Sequence, residues 1–174
     1  MTIRAETSED VPSIAAVVAA AFGSQAEAHL VARIRASPQF VPEWSLVADV
    51  EGEIAGHVMI SYATIVDGRG ERRVAMLSPL AVAPARQRQG IGSALVRSVT
   101  ALAAAAGEPL VILQGDPAFY GRLGFEPAAD YGIAMPLPSW APPEAAQVMR
   151  LPLYDDAVRG RVAHPPAFDE VADR

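Results

Sequence analysis

The stretch from Ala75 to Ala106 constrains this chain most, because three backbone regimes follow one another there without a break. Ala75-Met-Leu-Ser-Pro-Leu-Ala-Val82 is an apolar run too short for an ordinary helix, and it predicts a buried strand. Pro79 interrupts that run. A proline donates no N–H to a ladder, so inside a sheet it marks an edge or a bulge. A polar loop follows, Ala83 to Gln89, holding Arg86, Gln87 and Arg88. Gly90 and Gly92 then open a segment whose apolar positions, Ile91, Leu95, Val99, Leu102 and Ala106, recur at helical spacing. Gly107 suits a left-handed C-cap that ends it.

The first turn of such a helix has N–H groups without intrahelical partners, and the macrodipole makes that end partly positive. Glycines there let a ligand approach the main chain, since no Cβ stands in the way. Arg86 and Arg88 add charge beside the same opening. The natural guest is a phosphate or diphosphate. Two familiar nucleotide patterns are missing: no Gly-x-x-x-x-Gly-Lys-Ser/Thr occurs, and Gly90-Ile-Gly92 is followed by Ser93-Ala94-Leu95 where a dinucleotide loop requires a third glycine. On its own, Gly90-Ile-Gly92 fits a packing turn as well as an anion site.

The rest of the chain supplies a frame. Thr7-Ser-Glu-Asp10 reads as a helix start, with a hydroxyl N-cap, acids in the first turn and Pro12 where its missing N–H does least harm. That helix runs to about Phe22 and stops at Gly23. A second covers about Ala26 to Arg35, with Leu30, Val31 and Ile34 on one stripe. Phe40 to Trp44, containing Pro42, reads as a loop. Ser45–Val50 and Ile54–Ile65 form a predicted hairpin about Glu51-Gly52-Glu53, and Asp67-Gly-Arg-Gly70 is a second turn. Leu110 to Leu113 is a buried strand that, reached through a helix, should lie parallel to the Pro79 strand in a right-handed crossover. A bulge at Pro79 would let these two strands splay, leaving main-chain groups at Leu80 and Val82 free for an extended, amide-bearing ligand.

Gly115-Asp-Pro-Ala-Phe-Tyr-Gly-Arg-Leu-Gly-Phe125 is the second informative string. Asp116 is a good N-cap, Pro117 fits the first helical position, and Gly124 fits C′. The pattern predicts a very short helix carrying Phe119 and Tyr120. A further strand falls near Ala146 to Leu151. Residues 1–154 are expected to form one domain, with 155–174 as a tail set loosely against it.

Composition narrows the classes. At 174 residues, 51% hydrophobic and 20% charged, the chain reads as one globular domain with a substantial core. A net charge of −6 is opposite in sign to the footprint of general nucleic-acid binders. Zero cysteines exclude a disulfide framework, a thiolate nucleophile and a cysteine zinc site. His29, His57 and His164 lack ligand spacing, so no metal is expected. No run approaches the roughly 18 apolar residues of a membrane span. A cytoplasmic protein without membrane or nucleic-acid partners is expected.

Taken whole, Gln87-Arg-Gln-Gly-Ile-Gly92 after Leu80-Ala-Val-Ala-Pro84 resembles the acetyl-CoA signature of the GNAT superfamily of N-acetyltransferases, and Tyr120-Gly-Arg-Leu-Gly-Phe125 is similar to a second motif of that superfamily. The resemblance covers about Thr2 to Phe125 and thins beyond Ala128. Further strings, Gly56-His-Val and Gly115-Asp-Pro-Ala-Phe-Tyr among them, look like one small bacterial subgroup. The resemblance implies an α/β (α+β) fold: a mixed, mostly antiparallel central sheet with helices on both faces and a V-shaped split between two parallel central strands. It implies acetyl transfer from acetyl-CoA, as cosubstrate, to a primary amine by direct attack in a ternary complex. The expected acceptor is a small amine, with a protein N-terminus or lysine as alternative and a non-catalytic acyl-CoA-binding module as rival. Homodimers are common in the superfamily.

The implied site follows residue by residue. Leu80, Ala81, Val82, Gln87, Arg88, Gln89, Gly90, Ile91, Gly92, Ser93, Phe119 and Tyr120 would bind the cofactor. The Leu80 N–H would meet the oxyanion, and Tyr120 would protonate the thiolate. The base is less marked: Glu27 is the candidate carried forward, beside His57, which reads better as structural, and Asp116, which reads better as a cap. Trp44 and Trp140 are candidates for lining the acceptor pocket.

Overall fold

A computed structural model gives the fold, and it describes residues 1–169. Two compact units share the chain. The first comprises Met1–Ser61 and Leu77–Leu102, the second Tyr62–Met76 and the chain from Ala103 onward. Each is built around strands that the apolar patterning marks.

In the first unit, β1 (Thr2–Ala5) pairs antiparallel with β2 (Phe40–Val50), and β2 pairs antiparallel with β3 (Glu53–Asp67). The expected loop at Phe40–Trp44 is instead the start of β2, but the register shifts between Phe40 and Ser45, so the segment with Pro42 is strand-like without continuous pairing. A proline that removes one ladder donor accounts for that interruption. Helix α1 (Val11–Phe22) follows a single 3-10 turn, and Asp10 accepts from both the N–H and the hydroxyl of Thr7, at 2.7 and 2.9 Å. Gly23 ends α1 at φ 67°, as the sequence predicts. Helix α2 (Ala26–Arg35) packs on α1.

β3 is buried along Ala55–Ala63 except at Tyr62, so its alternation conceals two dry faces. On one, Gly56 lies against helix α3 (Ile91–Ala105): a Cβ there would fall 2.9 Å from Leu95 Cδ1, 3.2 Å from Ile91 Cγ2 and 3.1 Å from the Ala81 carbonyl. On the other, His57 lies against Ser45 of β2 and Glu6, the residue after β1, which Arg35 of α2 also bonds. Helices thus cover both faces of this strand.

In the second unit, the far end of β3 pairs with β9 (Gly160–Ala163), and β9 pairs with β7 (Ile133–Ala134). The first part of β4 (Gly70–Val82) pairs parallel with β5 (Leu110–Gln114), as the crossover argument predicts. β5 then pairs antiparallel with β8 (Ala146–Arg150), and β8 with β6 (Glu126–Pro127). The β4–β5 ladder consists of two pairs, Ala75↔Val111 and Met76↔Ile112, although both strands run on. The parallel pairing of these two strands is therefore short. The peptide bond Ser78–Pro79 is cis, and β4 continues through it to Val82.

The expectation of a loose tail from Asp155 fails for its described part. Val162 pairs with Ile65, and Val158, Val162 and Phe168 are buried, because these apolar residues complete a sheet edge and its covering layer. Residues 170–174 of that tail lie outside the described residues.

Candidate active site

The first unit holds the glycine-bearing turn. Pro84–Arg86 forms one 3-10 turn after β4, and the chain then crosses into left-handed backbone at Arg88 (φ 61°) and Gly90 (φ 82°). An arginine with positive φ is uncommon and costs backbone strain, of order 1–3 kcal/mol. Two glutamines hold the turn: Gln87 Nε2 donates to the Val82 carbonyl at 3.2 Å, and Gln89 Nε2 to the Ala85 carbonyl at 3.3 Å. These side chains therefore bind their own loop and fix the main chain. The Val82 carbonyl, expected to be free, is the one Gln87 uses.

Gln87 through Gly90 are exposed, whereas Ile91 is buried and anchors the start of α3. The Ala94 N–H closes onto the Gly90 carbonyl at 3.0 Å, so the amides of Ile91, Gly92 and Ser93 precede the helical ladder. A Cβ on Gly90 would meet nothing within 4 Å. The turn is thus open, the amides of Ile91–Ser93 lie ahead of the helical ladder, and the helix end is electropositive. Leu80 and Val82 are partly exposed on β4, while Ala81 is buried between them.

The second unit holds the aromatic string. Asp116 Oδ1 accepts from the Ala118 N–H at 2.9 Å, which caps the short helix α4 (Pro117–Tyr120). The 3-10 turn Gly121–Leu123 follows and ends at Gly124, φ 98°. Tyr120 is buried, edge-on to Phe119 at 4.8 Å and Phe125 at 5.6 Å between ring centroids. Burial alone pushes its phenol up to about 12. It is therefore a protonated donor throughout the physiological range.

Glu27 sits in the first turn of α2, and its Oε2 is enclosed without a hydrogen-bond partner among the described residues. Asp116 is occupied as a cap. Trp44 is buried in β2, whereas Trp140 is 71% exposed.

His57 belongs to a buried polar cluster that sequence inspection missed. Arg35 donates from Nε to Glu6 Oε1 at 2.6 Å and from Nη2 to Glu6 Oε2 at 3.1 Å. Ser45 Oγ donates to Glu6 Oε2 at 2.5 Å and lies 3.0 Å from His57 Nε2. His57 Nδ1 has no partner among the described residues, so the network assigns the proton to Nε2. Burial pulls the imidazole below its ordinary range, and the Arg35 charge adds to this against Glu6. Burial would raise Glu6, but hydrogen bonds from His57, Arg35 and Ser45 hold it at about 2. In a serine–histidine–acid triad the carboxylate bonds the nitrogen opposite the serine. Here it approaches the same nitrogen, at 3.3 Å, and Ser45 and His57 are fully buried. The cluster is structural.

Sequence reasoning gave Gly56 no packing task, although a lone glycine in a strand signals close approach of another element; Gly115, just past the end of β5, carries no such strand signal. The Glu6 cluster carries no such signal, since its four members are scattered across 52 positions of sequence, from Glu6 to Glu6-facing His57.

Comparison with known proteins agrees with this geometry. The family model described as an acetyltransferase (GNAT) domain matches residues 2–128. The N-acetyltransferase YhbS of Escherichia coli K12 is 37% identical over 161 residues, 92% of each chain. The crystal structure of Escherichia coli YhbS in complex with CoA superposes with a TM-score of 0.84 at 34% identity, covering 97% of this chain and 91% of that one. A GNAT family acetyltransferase from Brucella melitensis, solved with acetyl-CoA, gives 0.78 at 32% identity, covering 97% of both chains. Since the match runs from β1 through the glycine turn to the string containing Tyr120, and extends over nearly all of a relative's length, the chain belongs to the GNAT family of N-acetyltransferases.

Proposed function

We propose that this N-acetyltransferase uses acetyl-CoA and acetylates a primary amine by direct attack within a ternary complex, with a small amine as acceptor. The observation that carries the cofactor reading is the α3 turn: exposed, left-handed at Arg88 and Gly90, with the amides of Ile91–Ser93 ahead of the ladder. A diphosphate fits that chemistry, and two relatives at 32% and 34% identity were solved with acetyl-CoA and CoA. When bound, acetyl-CoA supplies the thioester whose acyl carbon the amine attacks.

The main chain of Gln87–Ser93 holds the diphosphate, with Leu80, Ala81, Val82 and Phe119 along the remainder of the cofactor. The Leu80 N–H stabilises the developing oxyanion. Glu27 takes the ammonium proton, its unbonded Oε2 being the supporting observation. Tyr120 gives its proton to the departing sulfur, and a phenol pushed up to about 12 by burial is always available for it.

The test is free-thiol release from acetyl-CoA against a panel of small amines, polyamines and peptides. Turnover on a small amine, lost in Tyr120→Phe and reduced in Glu27→Gln, is expected. Turnover confined to peptides would move the acceptor to a protein N-terminus or lysine.

A further inference from the structure

The placement of the Tyr120 ring depends on a residue with no role so far. Gly115 follows β5, and its peptide groups are held from β8 and the turn before it: its N–H donates to the carbonyl of Ala145, in the 3-10 turn Pro143–Ala145, at 2.9 Å, and its carbonyl accepts from Gln147 Nε2 of β8 at 3.0 Å. Gln147 is 2% exposed, opposite Leu113 in the β5–β8 register. A buried primary amide among apolar neighbours is costly unless its donors are used, and this one is used on Gly115. The Tyr120 ring rests on the same glycine. A Cβ added to Gly115 would stand 2.3 Å from Tyr120 Cε2 and 2.7 Å from Cδ2, so the ring occupies the space that any side chain would take. Its other ring neighbours are Phe119 and Phe125, and among the described residues its hydroxyl makes no hydrogen bond. The phenol therefore has no polar tether, and its position is set by the surface beneath it.

We propose that Gln147 is a positioning residue for Tyr120. It holds the Gly115 peptide as the floor on which the phenol ring lies, and so sets where the hydroxyl proton is delivered. The inference rests on the reading of Tyr120 as the acid. Gln147→Met keeps the length of the side chain and removes the donor. In the ligand-free protein carrying tyrosine labelled at Cζ with carbon-13, the Tyr120 resonance, identified by its loss in Tyr120→Phe, is expected to shift. In thiol release with the fastest amine of the panel, kcat is expected to fall about 10- to 100-fold, the scale of a small misplacement of a reacting group. KM for acetyl-CoA stays at the parent value. In the Tyr120→Phe background the same substitution changes kcat by less than about twofold, since a residue acting through another loses its effect when that other is gone. Gly115→Ala leaves Gln147 intact and drives a methyl into the ring; it is expected to repeat the pattern, and it decides the matter should Gln147→Met not melt cooperatively. An unmoved resonance, or losses that multiply in the double variant, would overturn the positioning role while leaving Tyr120 as acid. Parent kcat in Tyr120→Phe alone would instead sink the reading of Tyr120, and the positioning role with it.

Discussion

At the scale of single residues, two titratable groups carry opposite consequences of burial. Tyr120 is pushed up to about 12, so it remains protonated far above neutral pH. Its removal as a proton donor in Tyr120→Phe should lower kcat by about 10²–10⁴, the usual contribution of a positioned acid. The pH profile of the parent should show no basic-limb loss from this group below about pH 10, which steady-state rates between pH 6 and 10 would check. His57 shows the converse. Its folded value is lowered by burial, so the unfolded chain takes up a proton below the ordinary 6.5 while the native protein does not. Stability should fall as pH drops through that value. Glu6, held at about 2 against an ordinary 4.5, adds a second loss as pH falls from 4.5 towards 2. Urea unfolding from pH 3 to 8 should therefore show stability falling in two stages towards acid, and His57→Gln should flatten the first. Glu6→Ala strands the Arg35 charge and is expected to cost about 3 kcal/mol at pH 7, measured the same way.

At the scale of elements, the α3 turn works only if the helix is pressed close to the sheet. Gly56 allows that, since the neighbouring Ala81 carbonyl is backbone and cannot swing aside. Gly56→Val should displace the start of α3, destabilise by about 1–3 kcal/mol and weaken CoA binding, readable by melting and calorimetry. Here the sequence was informative in part. Gly23, Gly107 and Gly124 all adopt the positive φ that their positions at helix or turn ends predict, and Asp116 caps as expected. Such signals are local: a backbone conformation or one hydrogen bond decides them. The strand character of Phe40–Trp44 was hidden by Pro42, because propensity discounts a proline that the irregular ladder tolerates. The pairing of Gln147 with Gly115 spans 32 positions and has no periodic or turn signature, so only the folded chain reveals it.

At the scale of the whole molecule, the order of elements was legible because each apolar run has one period, and the crossover rule then fixes β5 parallel to β4. The end of the chain was not, since short runs such as Gly160–Ala163 become strands only when an edge of β3 is there to receive them. The functional proposal rests on the first unit gripping a diphosphate through backbone amides. Titration calorimetry tests that grip directly, with acetyl-CoA and, as a ligand lacking the diphosphate, acetyl-pantetheine. Saturable acetyl-CoA binding is predicted, with pantetheine weaker by at least about tenfold and Gly90→Val, strained at φ 82°, weakened by about as much without loss of folding. Equal affinity for the two ligands, or an unchanged affinity in Gly90→Val, would contradict it.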